Sequence, residues 1–276
     1  MGGPGRPIPC PHGDRATQRF PKRSGVTRRD EQFVLDGRSY RVISTTAERD
    51  TGAVRFVLVH GVGTSHRYFA RLHDELAADG DTVSVDLPGF GGVAKPDHAL
   101  EVAETASGLA QVLDALGAGP AVLVGHSMGT QWVVELAAQR PDLVQALVLI
   151  GPVTDRRRRS MPLQALALAH DTVGETPGVN QRVFADYLRA GPSWYLRHVR
   201  RMIDYPIEDR LAEVAAPVLV IRGGNDPIAR ADWSRLLRDR AARGSMAVVP
   251  GHRHVVQHTA PRAVASAIRA FVDGAD

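Results

Sequence analysis

The segment best suited to chemistry in this chain is Gly125-His126-Ser127-Met128-Gly129. It follows the apolar run Ala121-Val122-Leu123-Val124 and precedes an Ala- and Leu-rich helical stretch. A serine flanked by glycines at a strand-to-helix junction sits on a sharp, strained turn. Its hydroxyl is held exposed at the carboxyl end of a sheet, beside a helix N-terminus. Such a serine becomes a nucleophile if a base lies within hydrogen-bond reach, an acid orients that base, and N–H donors await the oxyanion. Asp226 follows the apolar run Pro217 to Ile221, on a turn shaped by Gly223, Gly224 and Pro227. His254 follows the strand-like Met246-Ala247-Val248-Val249, just ahead of a helix expected to start near Pro261. Three strands thereby bring a serine, an acid and a base to their carboxyl ends, where ligands collect in open α/β sheets.

The donors have candidates too. One is the N–H of Met128, directly after the serine. The other is the N–H of Val62, in the loop His60-Gly61-Val62-Gly63 that follows the strand Arg55 to Val59. Asp155, past the strand Ala146 to Ile150, is the alternative acid. His252 and His258 are the alternative bases. His60 and His126 read as packing and hydrogen-bonding residues around the elbow, and Asp86 as a brace for its own loop.

Taken together, His60-Gly61-Val62-Gly63, Asp86-Leu87-Pro88-Gly89-Phe90-Gly91, Gly125-His126-Ser127-Met128-Gly129, Gly223-Gly224-Asn225-Asp226 and Pro250-Gly251-His252-Arg253-His254 resemble the α/β-hydrolase superfamily. They occur in that family's order and spread over about residues 33 to 272. The resemblance implies an α/β fold with an eight-stranded, mostly parallel sheet flanked by helices. It also implies a Ser-His-Asp site with Ser127 as nucleophile, His254 as base and Asp226 as acid. Two positions depart from the common pattern: Arg253 stands where a small residue is usual, and Thr130 where Gly or Ala is.

The elements that must position these groups follow from periodicity. A hairpin is expected through Asp36-Gly37, from Gln32–Asp36 and Ser39–Ser44. Strands and helices then alternate, including a helix from about Tyr68 to Ala78, a strand at Thr82–Asp86 and an amphipathic helix from Leu100 to Leu116. The alternation breaks from 152 to 216, which lacks a buried strand and holds helical stretches near Met161–Val173 and Val179–Met202. That segment reads as a helical cap inserted into a core of 31–151 and 217–276. Phe90, Trp194 and Met161 are the candidate pocket residues.

Composition narrows the rest. The 276 residues are 43% hydrophobic and 23% charged, as in a globular domain. No apolar run approaches the ~18 residues needed to span a bilayer, and the N-terminus lacks a signal-like apolar stretch, so no membrane association and cytoplasmic residence are expected. Cys10 is the single cysteine. The net charge of +4 is a property of residues 1–30, which carry seven basic and two acidic groups; the other 246 residues carry 27 and 28. This Pro-, Gly- and Arg-rich stretch reads as a disordered tail, not a nucleic-acid surface. No metal cluster or phosphate loop is evident, so neither metal nor cofactor is expected.

The function expected is that of a serine hydrolase, in the carboxylic ester hydrolase class, acting on a small or medium, largely apolar acyl compound. Carbon–carbon bond hydrolysis, thioester release, cofactor-free peracid formation and a small-molecule receptor role are the alternatives on the same frame. Oligomeric state is not encoded in any motif.

Overall fold

A computed structural model of the chain describes residues 26–47, 55–117, 119–160, 162 and 191–274. Eight strands form one sheet: β1 (Val26–Leu35), β2 (Arg38–Ala47), β3 (Phe56–Val59), β4 (Thr82–Asp86), β5 (Ala121–His126), β6 (Val144–Ile150), β7 (Val218–Gly223) and β8 (Gly244–Val249). Their spatial order is β1-β2-β4-β3-β5-β6-β7-β8. The pairs β1–β2 and β2–β4 are antiparallel and the remaining pairs are parallel. The described helices are α1 (Ala70–Leu76), α2 (Val102–Ala115), α3 (Gly129–Gln139), α4 (Pro192–Asp204), α5 (Ile207–Arg210), α6 (Ala231–Arg240), α7 (Val256–Thr259) and α8 (Pro261–Asp273).

The central strands are apolar on both faces because helices cover both. Along β3, Val57 and Val59 join Leu123 and Leu147 in a core with Leu109 of α2, Val133 of α3 and Leu237 of α6. Phe56 and Leu58 point the other way, to Val122, Val148, Leu72 of α1 and Ile268 of α8. Adding a fully buried Leu or Val to either core stabilises by ~1.5–3 kcal/mol. The two cores cover the sheet from opposite sides.

β1 corrects the expected boundary of the N-terminal tail. Val26–Asp30 are strand, with Val26 opposite Ala47 and Asp30 opposite Ile43, so the disordered reading of 1–30 does not hold for them. Charged residues fill this stretch because β1 is an edge strand with solvent beside it. Asp30 takes a bidentate pair from Arg41, and Arg28 reaches Asp74. Residues 1–25 lie outside the described residues.

Elsewhere the expected elements shift by a few residues. The helix expected over Tyr68–Ala78 is a 3₁₀ turn, His66–Tyr68, followed by α1. Between β6 and β7 the described residues hold the 3₁₀ turn Arg156–Arg158, α4, α5 and a further 3₁₀ turn, Leu211–Glu213, with no strand. Of the helices expected there, Met161–Val173 and the first part of Val179–Met202 fall outside the described residues, apart from Pro162.

Candidate active site

Ser127 sits between β5 and α3 with φ +55°, a left-handed conformation that is costly for a residue with a side chain. The surrounding hydrogen bonds enforce it. Its N–H donates to Ile150 O of β6 at 3.0 Å, and its carbonyl accepts from the Thr130 N–H at 3.0 Å and the Thr130 hydroxyl at 2.6 Å. The flanking glycines are sterically required. A Cβ on Gly125 would lie 2.5 Å from Gly129 O, and one on Gly129 would strike Val59 O. The neighbouring loop approaches as closely: a Cβ on Gly61 would stand 2.9 Å from Ser127 Cβ and 3.4 Å from its Oγ.

Asp226 and His254 meet at the carboxyl edge. His254 Nδ1 lies 3.0 Å from Asp226 Oδ2, and both side chains are buried. The other Asp226 oxygen accepts the N–H groups of Ile228 at 2.8 Å and Ala229 at 2.9 Å. Burial pushes this carboxyl up, but the charge and hydrogen bond of His254 and the two N–H donors outweigh it and hold the pKa below the usual carboxylate value. Arg222, itself buried, fastens the turn from behind by donating to Ala229 O and Asp226 O. Gly151 leaves the space the pair occupies: with φ +57°, a Cβ there would fall 3.0 Å from His254 Nδ1 and Cε1, and 3.5 Å from Asp226 Oδ2.

The alternative residues are engaged elsewhere. Asp155 caps the following 3₁₀ turn by accepting the Arg157 N–H. His252 pairs with the Thr259 hydroxyl at 2.9 Å, and His258 packs its ring 6.2 Å from that of Tyr68. His60 Nδ1 donates to Gly61 O at 2.7 Å, while its Nε2 accepts the Leu87 N–H at 3.2 Å, which sets a neutral tautomer. His126 is neutral as well, since burial and the neighbouring His254 depress its pKa to about 3. Asp86 does brace its loop. One oxygen accepts the His66 N–H and the other meets His66 Nδ1, each at 2.6 Å, and its carboxylate fills the space a Cβ on Gly91 would need.

Phe90 and Trp194 come together in a ring cluster. Phe90 packs against His60 (5.4 Å between centroids), Trp132 (6.3 Å), Trp194 (6.5 Å) and His198 (5.0 Å). Trp194 lies flat on Gly89, where a Cβ would be 2.6 Å from its indole, with Lys95 Nζ 5.8 Å above the ring. Met161 lies outside the described residues. Sequence reasoning did not find His198, Arg222 or the His66–Asp86 pair; the i+4 spacing of Trp194 and His198 on one helix face was the available signal.

Among the described residues no group of three or more His, Cys, Asp or Glu is arranged to hold a metal ion, and no helix is long and apolar enough to cross a membrane.

Residues 56–267 match the model of the alpha/beta hydrolase family. The chain is 26% identical over 235 residues to the (E)-2-((N-methylformamido)methylene)succinate hydrolase of Acinetobacter baylyi, covering 79% of this chain and 89% of that one. It is 26% identical to the 2-(acetamidomethylene)succinate hydrolase of Mesorhizobium japonicum, covering 84% and 92%. In fold it is similar to the enol-lactonase of Burkholderia xenovorans, with a TM-score of 0.74, 19% identity, and coverage of 88% and 100%.

Proposed function

The chain belongs to the alpha/beta hydrolase family, and from that premise we propose that it is a serine hydrolase cleaving a small or medium carboxylic ester or related acyl compound. The observation that carries this reading is the 3.0 Å His254 Nδ1–Asp226 Oδ2 contact beside a serine held at φ +55°. Ser127 Oγ attacks the acyl carbon and its proton passes to His254 Nε2. The carbonyl electron pair moves onto oxygen, where the N–H groups of Met128 and Val62 receive it. When the pair returns, the leaving group departs with the proton from His254 and an acyl-serine remains. Water repeats the sequence and frees the acid. Asp226 holds the imidazole in the tautomer with Nδ1 protonated and offsets its charge. Phe90 and Trp194 belong to the pocket wall, and the protein works on small molecules in the cytoplasm.

A second reading follows from the two succinate hydrolases that the chain resembles: a carboxylate-bearing amide-like substrate or carbon–carbon cleavage in place of a plain ester. Three arginines between β6 and β7, Arg157, Arg159 and Arg201, are each already paired with a protein carboxylate, which gives this reading less support. The deciding test is turnover of a chromogenic ester series, acetate to long acyl chains, beside (E)-2-(acetamidomethylene)succinate, with wild type and Ser127→Ala. Serine-dependent ester turnover supports the first reading. Serine-dependent turnover of the succinate alone supports the second, and turnover retained in Ser127→Ala overturns both.

A further inference from the structure

The two N–H groups assigned to the oxyanion belong to peptides whose carbonyls are tied down in the same way. The Gly61 carbonyl accepts from the Thr64 hydroxyl at 3.0 Å and the Thr64 N–H at 3.3 Å, with His60 Nδ1 as a third donor at 2.7 Å. The Ser127 carbonyl accepts from the Thr130 hydroxyl at 2.6 Å and the Thr130 N–H at 3.0 Å. In each case a threonine three residues on closes the turn with both its backbone and its side chain, and both threonines are buried.

The peptide unit is planar, and in the trans form its C=O and N–H point in opposite directions. No described peptide bond is cis. A fixed Gly61 carbonyl therefore fixes the direction of the Val62 N–H, and a fixed Ser127 carbonyl that of Met128. We propose that Thr64 and Thr130 are a matched pair of positioning residues whose hydroxyls aim the two oxyanion donors. This rests on the serine-hydrolase reading above. It also gives a role to Thr130, which stands where the family resemblance leads one to expect Gly or Ala.

The physical reason lies in how oxyanion donors work. They stabilise charge that develops only in the transition state, so they help in proportion to how little they must reorganise at that moment. Without the Thr130 hydroxyl the Ser127 carbonyl would keep only a backbone N–H and its peptide plane could rock, whereas the Gly61 carbonyl without the Thr64 hydroxyl would keep the Thr64 N–H and His60 Nδ1. A second donor on the same oxygen removes that freedom without touching the substrate. Losing a hydroxyl should leave substrate binding intact and weaken only the charged, tetrahedral state.

The experiment compares Thr64→Val, Thr130→Val and the double variant with wild type, using the best ester and an alkylboronic acid that forms a tetrahedral adduct with Ser127. Thr→Ser at each site, and Thr130→Ala, provide the controls. The expected result is kcat lower by about tenfold in each Val variant, less than the ~10²–10³ lost with a whole donor, with KM and Tm near wild type. Boronate affinity should fall in parallel, and Ser should restore both. Wild-type kcat and boronate affinity in the Val variants would overturn the proposal, as would losses that track Tm or KM. Thr130→Ala separates loss of the hydroxyl from poor packing of Val. If Ser127→Ala still turns over the ester or binds the boronate as wild type does, the fault lies in the serine-hydrolase reading itself.

Discussion

His126 Nε2 donates to the main-chain carbonyl of His254 across 3.1 Å, with the two rings 4.9 Å apart. The residue before Ser127 thereby holds the backbone of the loop that carries His254. β5 and β8 are separated in the sheet by β6 and β7, so their loops share no ladder. His126 bridges that gap with one buried donor, and Phe69 sets its ring edge-on from the other side.

Replacing His126 with Phe keeps a ring and removes the donor. A displacement of ~1 Å at a catalytic group costs ~10²-fold, so kcat should fall between about tenfold and that limit, with KM little changed. Steady-state kinetics beside thermal unfolding test this; unchanged kcat would show that the bridge does not position the base.

The acid can be identified by substitution. Asp226→Asn should lower kcat by about 10⁴, the scale seen when a triad acid is lost to the wrong tautomer. Asp155→Ala should leave kcat unchanged and cost the cap of the 3₁₀ turn, about 1 kcal/mol. A reversed pattern would return the acid to the end of β6.

Gly151→Ala tests the space beneath the dyad. Its Cβ would press on His254 and Asp226 from 3.0–3.5 Å in a left-handed backbone. The strain costs about 1–2 kcal/mol of stability, and the displaced imidazole should lower kcat well beyond what that loss of stability explains. Activity assayed at a temperature where the variant is fully folded separates the two effects.

Acid should destabilise the fold early. Burial lowers the pKa of His73 and His126 to about 3 and that of His198 to about 4, against about 6.5 unfolded. A lowered folded pKa means that the unfolded chain binds the proton first. Stability is therefore fully present above pH ~6.5 and declines towards pH ~4, by about 1.4 kcal/mol per pH unit for each histidine. The depressed carboxyls of Asp86 and Asp226 act below that window. Calorimetric Tm between pH 7 and 4.5 measures the slope. His73→Gln, replacing the ring that bridges Ser84 and Thr45, should make it shallower, whereas a flat Tm would mean that these histidines take protons while folded.

Much of this architecture is written locally. Ala121–His126 reads as a strand from the continuous apolar run Ala121–Val124, as helices on both faces demand, and Thr82–Asp86 from the alternation of Val83 and Val85 with polar residues. Gly125 and Gly129 announce the elbow because no Cβ fits there, a constraint that needs no distant partner to be legible. β1 was less visible: an edge strand bordered by water carries no apolar pattern, and its extent depends on where β2 runs. The pairing of His254 with Asp226 rather than Asp155 could be ranked from residue types, but it was decided in space. Strand order brings the loops after β7 and β8 together, and Gly151 leaves room between them. The hydroxyls of Thr64 and Thr130 were ordinary residues in the sequence. Their hold on two carbonyls is a matter of peptide-plane direction, which exists only once the turns are folded against each other.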